Sequence, residues 1–340
     1  MKILNGLTTS SHESARPGHI PSRKPHRNLI KNILKIVVCG LVIAILGAGV
    51  IIIHLLVRLG ISPLDPGTLS GDAGGRVNII VLGVGDPGHD GQNLSDTIMV
   101  ISLDQTSQTA AMLSIPRDLR VSIPGYYFAK INQANALGGP VLAEQTVSNT
   151  LNLPINYYMV ANFSALSQLV DAVGGLDVAV KYRLSDPGYP CANDQYRSCG
   201  LDIKAGNYIM NGATVLEYTR CRKGTCGNDF GRAERQQQIV ALLKQKLLTP
   251  AVYLDPIKLE QLVGIIRTNL KTDMSTNNLI RLVWELKHSH PITNSVLSTS
   301  PGGLLVNIPG SSDLAPSSGD LSQIQDYVNN IFTAPSLPQP

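Results

Sequence analysis

The feature that most constrains this chain is a long apolar run at residues 36–57, IVVCGLVIAILGAGVIIIHLLV, whose only polar side chain is His54. A bilayer core about 30 Å thick is crossed by roughly 20 helical residues, so the run predicts one transmembrane helix. A cleaved signal peptide is the alternative, but its apolar segment is usually shorter, roughly 7 to 15 residues. We therefore expect a single-pass membrane protein.

The charges that precede this run predict its orientation. Before residue 36 the only acidic residue is Glu13, and it faces seven basic ones: Lys2, Arg16, Arg23, Lys24, Arg27, Lys31 and Lys35. Because positive flanks stay in the cytoplasm, the N-terminus is predicted to be cytoplasmic and the remainder of the chain to lie outside the cell membrane.

Cysteine usage agrees with that prediction. Beyond the apolar run the cysteines form two close pairs, Cys191 with Cys199 and Cys221 with Cys226. Oxidised bridges are typical of compartments outside the cytoplasm. Four cysteines permit three connectivities, and the spacing favours pairing between neighbours. A zinc site is the alternative, but neither spacing is the Cys-x-x-Cys that structural zinc favours.

Composition along the chain divides it into five predicted parts. These are a basic cytoplasmic tail (1–35), the transmembrane helix (36–57), a linker rich in Pro and Gly (58–75), one folded domain (76–333) and a frayed tail (334–340). The linker is identified by its turn-forming residues, and the last residues by their position at the terminus.

Alternating strand and helix patterns predict the fold of the domain. Three apolar runs of strand length, VNIIVLGV, DTIMVISL and TAAMLSIP, read as core strands covered on both faces. Helical spacing follows at 139–150, 163–173, 210–220, 230–247 and 275–288, the last with Ser275 as N-cap. We expect an α/β domain in which helices cover both faces of a central mixed sheet, forming layers in the order α-β-α.

Four arginines lie close together between residues 218 and 238, in YTRCRKGTCGNDFGRAERQQQ: Arg220, Arg222, Arg232 and Arg235. Guanidinium groups bind phosphate oxygens through paired hydrogen bonds, and several together could neutralise a pyrophosphate. On a helix Arg232 shares a face with Arg235 and with Gln236. The alternative is a solvated basic face.

A second candidate cluster follows the strand TAAMLSIP. Arg117 and Asp118 come directly after Pro116, and Lys130 follows in KINQAN. Ligands of α/β sheets bind beyond strand ends, so these side chains are candidates for the same site. An ordinary surface ion pair between Arg117 and Asp118 is the alternative.

Carboxylates on the loop after VNIIVLGV form the third candidate cluster. Asp86 and Asp90 lie on that glycine-rich loop, and Asp96 opens the next strand. Carboxylates on short loops suit Mg²⁺, which keeps several waters and bridges to phosphate. Asp96 is the main candidate ligand, with Asp86 or Asp90 as the second. The loop is too irregular to be a dinucleotide-binding motif.

Together these segments resemble the LytR–CpsA–Psr family. The motifs, in chain order, are VNIIVLG, SDTIMVISLD, AAMLSIPRDLRVSIPG, KINQAN, NYYMVANF, LVDAVGGLDVAV, MNGATVLEYTRCR, DFGRAERQQ and KTDMS. The resemblance implies a phosphotransferase that acts on glycopolymers, such as teichoic acid, linked to undecaprenyl pyrophosphate. It also implies magnesium, a hydrophobic pocket for the prenyl chain, and peptidoglycan or another wall glycan as acceptor.

The resemblance assigns roles to particular residues. It implies that Arg117, Arg220, Arg222 and Arg232 bind pyrophosphate, that Asp229 and Gln236 surround the same group, and that Asp96 holds magnesium. The chain departs from the family pattern in the first loop. Gly85 stands where the family has an aspartate soon after the Leu-Gly, and Leu94 replaces an arginine before Ser-Asp. The second metal ligand is therefore left open between Asp86 and Asp90.

These assignments lead to a hypothesis for the reaction. An acceptor sugar hydroxyl attacks the phosphorus that carries the glycopolymer, polyprenyl phosphate leaves, and Asp118 or Asp96 takes the proton. The alternatives are a non-catalytic or regulatory module that binds an anionic wall polymer, and a polyprenyl-pyrophosphate hydrolase. Without a helix-turn-helix pattern, we expect no nucleic-acid partner.

Overall fold

The computed structural model describes residues 69–71, 75–88, 91–191, 194–289 and 293–338. The predicted cytoplasmic tail and transmembrane helix lie outside these residues, as do Asp90 and most of the linker. Within the described residues, none of the helices combines the length and the apolar character that a membrane span requires.

The described strands and helices alternate along the chain. The strands are β1 (Arg76–Val84), β2 (Thr97–Asp104), β3 (Thr109–Ser114), β4 (Arg120–Ser122), β5 (Phe128–Lys130), β6 (Tyr157–Asn162), β7 (Leu176–Val180), β8 (Leu184–Asp186), β9 (Pro190–Cys191), β10 (Asp194–Ser198), β11 (Leu201–Ile203), β12 (Gly206–Met210), β13 (Leu270–Thr272), β14 (Thr293–Val296), β15 (Leu305–Asn307) and β16 (Leu314–Pro316). The helices are α1 (Gln133–Leu151), α2 (Phe163–Ala172), α3 (Gly212–Arg220), α4 (Asn228–Leu247), α5 (Pro250–Tyr253), α6 (Pro256–Asn269), α7 (Thr276–His288) and α8 (Ser322–Asn329), with one 3-10 turn at Gly224–Cys226.

The central sheet has six strands in the order β13-β6-β1-β2-β3-β14. The pair β1 and β2 is antiparallel, as is the pair β2 and β3, whereas β1 runs parallel to β6 and β3 runs parallel to β14. The predicted mixed sheet and its three predicted core strands are therefore confirmed.

Side chains of β1 enter hydrophobic clusters on the two faces of the sheet. Ile80 and Leu82 pack in one cluster, which includes Val147 of α1, whereas Ile79 packs in another, which includes Leu282 of α7. Alternate residues of a strand point to opposite faces, so helices cover both sides. This arrangement is the predicted α-β-α layering.

The predicted helices are confirmed to within two residues at each end, except at the start of α1. Ser275 caps α7, where its side chain accepts a hydrogen bond from the backbone N–H of Asn278. Helix α1 begins at Gln133, six residues before its predicted start at 139. Gly138 and Gly139 have non-helical backbone angles, which divide the helix into two helical segments, and Pro140 opens the second. The prediction found only that second segment.

Both predicted disulfides are present. Cys191 pairs with Cys199 and Cys221 with Cys226, at Cα–Cα distances of 4.9 and 5.7 Å. The second bridge closes the turn that joins α3 to α4. The predicted frayed tail at 334–340 is wrong for at least part of its length, because Leu337 is buried in the core and its N–H donates to Ser295.

A close approach between α2 and α3 depends on Gly212. A Cβ added there would lie 2.1 Å from the backbone oxygen of Ser167. We expect Gly212→Ala to lower the unfolding free energy by about 1–3 kcal/mol, the usual cost of overpacking. Chemical denaturation measures this loss. The control is Gly264→Ala in α6, where an added Cβ meets nothing within 4 Å, and the change should be neutral or stabilising. Equal effects of the two substitutions would contradict the prediction.

Candidate active site

The candidate site lies at one edge of the central sheet. Strands β1, β3, β6 and β14 end at this edge, and β2 begins there. Asp96 precedes β2, and its N–H donates to the Gly83 oxygen at 2.8 Å. Arg117 follows β3 by three residues. The two sequence clusters predicted to share a site therefore meet at the carboxyl ends of parallel strands, where ligands of such sheets bind.

Asp229 is the centre of the charged contacts at this edge. It lies in the first turn of α4, where an acidic side chain is stabilised by the helix dipole. Its carboxylate lies 3.2 Å from Nη2 of Arg232, 3.5 Å from Nε of Arg117 and 3.9 Å from Nη1 of Arg222. One carboxylate thus contacts two arginines of the 218–238 segment together with Arg117, which is distant from them in the sequence.

Asp96 accepts hydrogen bonds from two of these arginines. Nη1 of Arg117 donates to Oδ1 of Asp96 at 2.6 Å, and Nη2 of Arg232 donates to its backbone oxygen at 3.0 Å. Arg232 is nearly buried, with a side chain 10% exposed, so these contacts fix its orientation before any ligand binds.

The ionisation of these groups reflects the close packing of opposite charges. Burial alone would raise the pKa of Asp229, but Arg232, Arg117 and Arg222 lower it below its usual value. Burial opposes the charge of Arg117, yet Asp229 and Asp96 raise its pKa. Burial lowers the pKa of Arg232, and neighbouring Arg117 adds to that effect. The site therefore concentrates positive charge that burial disfavours.

The lowered pKa of Asp229 predicts an acid-dependent loss of stability. Because its folded pKa lies below the unfolded value of about 3.9, its contribution is complete above that pH and is lost as pH falls through the folded pKa. We expect Asp229→Asn to cost about 3 kcal/mol at pH 7, since it removes the carboxylate partner of the nearly buried Arg232.

Urea denaturation of the wild type and of Asp229→Asn between pH 7 and pH 2 measures this dependence. The difference between the two proteins should shrink only below about pH 4. The control is Asp202→Asn, which removes an exposed partner of Arg183 and should change stability little. A difference between wild type and Asp229→Asn that stays constant down to pH 2 would contradict the assigned ion pairs.

A cavity of about 290 Å³ opens beside these residues. Five cationic side chains line it: Arg117, Arg220, Arg222, Lys223 and Arg232. Two carboxylates, those of Asp96 and Asp186, also line the cavity. Asp186 accepts hydrogen bonds from the backbone N–H groups of Gly188 and Lys223, so it stabilises the cavity wall. The cavity therefore has an excess of positive charge suited to a multiply charged anion.

Other predicted binding residues also line this cavity. Gln236 lies one turn along α4 from Arg232, and the guanidinium of Arg220 stacks 4.5 Å from the ring centre of Phe163. Lys223, Phe163, Asp186 and Tyr189 are lining residues that the sequence reasoning missed. Lys223 follows Arg222 directly and could have been included for that reason. No pattern in the sequence pointed to the other three.

The prediction that Arg235 binds pyrophosphate is wrong. Arg235 is 4% exposed, and its guanidinium donates to three backbone oxygens, those of Tyr218, Cys221 and Cys226. With its donors bound to these carbonyls, it joins the end of α3 to the disulfide-closed turn. Burial also lowers the pKa of Arg235. It is a structural residue behind the cavity wall, three positions from Arg232.

Asp118 and Lys130 form a neighbouring ion pair and are not among the residues that line the cavity. Nζ of Lys130 donates to Oδ1 of Asp118 at 2.6 Å and lies 3.4 Å from Asp313. Asp118 Oδ2 lies 3.7 Å from Nε of Arg117. The pair therefore supports Arg117 from outside the cavity, and direct contact of Lys130 with a bound pyrophosphate is not supported.

The structure describes two of the three candidate metal ligands, Asp86 and Asp96, and they have different surroundings. Asp96 lines the cavity, whereas Oδ1 of Asp86 accepts the N–H of Ser164 at the start of α2, and Asp90 lies outside the described residues. Among residues that the structure describes, no group of three or more His, Cys, Asp or Glu side chains could hold a metal ion. Asp86 therefore secures a helix terminus, and Asp96 is the one candidate placed in the cavity.

The fold and the cavity define a class of protein: a mixed α/β protein with an arginine-lined cavity at the carboxyl edge of its sheet. The chain belongs to the LytR_cpsA_psr family, whose model matches residues 62–326. The resemblance inferred from the sequence motifs is thereby confirmed.

Two curated relatives illustrate the range of the family. The regulatory protein MsrR of Staphylococcus aureus is 32% identical over 207 residues, which are 61% of this chain and 59% of that protein. The polyisoprenyl-teichoic acid–peptidoglycan teichoic acid transferase TagU of Enterococcus faecalis is 32% identical over 214 residues, 62% of this chain and 65% of the relative. The match thus spans less than two thirds of either relative.

Solved structures agree with the fold. The crystal structure of Bacillus subtilis TagV superimposes with a TM-score of 0.60 at 25% identity, covering 78% of this chain and 99% of that one. A structure of TagT bound to LIIa-WTA gives a TM-score of 0.59 at 24% identity and covers 81% of this chain and 95% of that chain. Both are similar to this chain in fold.

Proposed function

We propose that this protein transfers a glycopolymer from a polyprenyl pyrophosphate carrier to a hydroxyl of a wall glycan. The observation that carries the proposal is the cavity lined by five cationic side chains, whose charge exceeds that of its two carboxylates. A pyrophosphate has the charge and the oxygen geometry that several guanidinium groups bind. The name of the related TagU describes a teichoic acid transferase that acts on peptidoglycan, in line with this chemistry.

The arginines act by holding the pyrophosphate and neutralising its charge. Arg117 and Arg232 are already fixed by Asp96 and Asp229, so little reorganisation is needed when charge develops in the transition state. The acceptor oxygen attacks the phosphorus that carries the polymer, the bond to the bridging oxygen breaks, and polyprenyl phosphate leaves. Asp96, which lines the cavity and contacts Arg117, is the carboxylate placed to receive the hydroxyl proton, whereas Asp118 contacts Arg117 from outside the cavity.

Magnesium fits this site as a partner of the substrate. Mg²⁺ is usually held by one or two carboxylates together with substrate phosphates and water, and Asp96 offers one such carboxylate in the cavity. When bound, the ion would neutralise phosphate oxygens. Asp96 would hold it, with the remaining positions supplied by the pyrophosphate and water.

We place the domain outside the cytoplasm, attached through the predicted transmembrane helix at 36–57. Two disulfides within the domain support this location, because such bridges persist in oxidising compartments. The basic residues before the apolar run support the same orientation. This location would bring the cavity into the compartment of its acceptor.

The proposal is tested with the full chain in detergent micelles. The substrates are a polyprenyl-pyrophosphate donor with a labelled glycan and an uncrosslinked wall glycan acceptor, and both labelled acceptor and released polyprenyl phosphate are measured. A transferase releases polyprenyl phosphate mainly when the acceptor is present. Equal release without acceptor would instead indicate a hydrolase. Tight donor binding with no release would indicate a non-catalytic module.

A further inference from the structure

Three consecutive aromatic residues form an exposed patch beside the cavity. Tyr126, Tyr127 and Phe128 are 50%, 56% and 58% exposed, and all three lie on the hairpin between β4 and β5. We call them the aromatic patch. Contiguous apolar surface of this kind commonly marks a site where a protein contacts a ligand or another molecule.

The hairpin that carries the patch is held in one conformation. Its turn has Pro124 at the second position and Gly125 with φ of 76° at the third, and the N–H of Tyr126 donates to the Ile123 oxygen at 3.0 Å. These are the features of a type II turn. On the other face Val121 and Ile123 are buried in the core. The patch is therefore presented on a preorganised support.

The polar groups of the patch turn toward the protein. The hydroxyl of Tyr126 donates to the Leu137 oxygen at 3.1 Å, and that of Tyr127 donates to the side-chain oxygen of Gln133 at 3.2 Å. The Phe128 ring stacks against the guanidinium of Arg120 at 5.1 Å. What remains exposed is mainly aromatic ring surface, and the side-chain amide of Gln133 in α1 lies beside it.

The base of the hairpin links the patch, through a chain of contacts, to Arg117 of the cavity wall. Phe128 and Lys130 are two residues apart on β5, about 7 Å along a strand. Lys130 binds Asp118, which adjoins Arg117 in the sequence and lies 3.7 Å from its Nε. A linear molecule that reaches the cavity from this side would therefore pass over the patch.

The charged residues near the aromatic patch indicate what kind of molecule it binds. Arg120 lies 3.3 Å from Asp313, and Lys130 is paired with both Asp118 and Asp313. The cations at the base of the hairpin are thus already matched by carboxylates. An anionic membrane surface attracts clusters of uncompensated Lys and Arg, which this pairing does not provide. Aromatic rings bordered by amides suit a sugar chain, which offers apolar C–H faces and hydrogen-bonding edges.

We propose that the aromatic patch binds the acceptor glycan strand and directs one of its hydroxyls to the cavity. This inference rests on the proposed transferase function. Tyrosine gives large, rigid contact area at a low cost in side-chain entropy, which favours binding through exposed rings.

The test compares steady-state kinetics of the full chain carrying Tyr127→Ser and Phe128→Ser with the wild type. The acceptor KM should rise roughly tenfold or more, because each stacked ring contributes a modest part of the binding free energy. The donor KM should stay at the native value. Tyr127→Phe retains the ring and should behave as wild type. The matched control is Tyr208→Ser with Ile209→Ser on β12, where both side chains are also exposed.

A direct titration keeps this inference separate from the proposed function. A β-linked N-acetylhexosamine tetrasaccharide is titrated into the wild type and the double variant, and affinity should fall by a similar factor in the variant. If the wild type transfers nothing, the proposed function fails, but the titration still decides whether the patch binds glycan. A rise confined to the donor KM would overturn the inference in favour of a lipid or membrane contact. Native acceptor KM and native tetrasaccharide affinity in the double variant would also overturn it.

Discussion

Replacing Arg232 by alanine is expected to lower the transfer rate by roughly 10²–10³-fold, the usual cost of removing one preorganised donor to developing charge. The side chain lines the cavity, is nearly buried, and contacts both Asp96 and Asp229. Its loss removes a cation from the bound pyrophosphate and leaves Asp229 with weaker support. Arg232→Lys keeps the charge but loses the fork geometry, so we expect an intermediate rate.

The measurement is the transfer of labelled glycopolymer by the full chain, with donor affinity determined in parallel. Arg267→Ala, on the exposed last turn of α6, is the matched control and should transfer at the native rate. The thermal midpoint of Arg232→Ala must be recorded, because a folded variant is needed for the comparison. A folded Arg232→Ala that transfers at the native rate would show that the cavity is not the reaction site.

Local patterns predicted the three core strands and five of the eight α-helices that the structure describes, because they record interactions between residues close in the chain. The apolar runs of β1, β2 and β3 and the Ser275 cap of α7 are of this kind. The early start of α1 was missed because Gly138 and Gly139 interrupt its pattern. The burial of Leu337 depends on distant core residues, and a short segment rich in Pro gives no sign of it.

The sequence motifs predicted which regions of the chain form the site. They did not predict the correct role for every residue. Arg232 and Arg235 are three apart on α4 and look alike in the sequence. Arg232 reaches Asp96, which is 136 positions away, whereas Arg235 reaches carbonyl groups 9 to 17 positions away. Helical spacing predicts a shared face but not which neighbours that face meets.

The missed wall residues show the same limit. Tyr189 and Asp186 enter the cavity because the chain between β8 and β9 folds back beside Arg222, and the Cys191–Cys199 disulfide lies directly beyond. The course of this segment is set in part by tertiary contacts, among them the hydrogen bond that the N–H of Lys223 donates to Asp186. Such contacts have no short-range signature in the sequence.

The different roles of the two neighbouring arginines lead to the prediction with the largest effect on stability. Arg235→Ala leaves three buried carbonyls without their donor, and each unsatisfied group costs about 1–3 kcal/mol. We expect a loss of about 3 kcal/mol or more and a fall in the thermal midpoint of about 6–12 °C, since 1 kcal/mol shifts a domain of this size by about 2–4 °C.

The comparison that isolates this role is Arg222→Ala, measured in the same way. Arg222 lines the cavity with a side chain 38% exposed, so its loss should reduce donor affinity while the thermal midpoint stays close to native. Arg235→Ala should show the reverse order of effects, with the larger change in the midpoint. A native midpoint together with lost donor affinity in Arg235→Ala would return Arg235 to the pyrophosphate site. A lowered midpoint together with native donor affinity in Arg235→Ala would establish that this guanidinium stabilises the disulfide-closed turn, which carries Arg222 and Lys223.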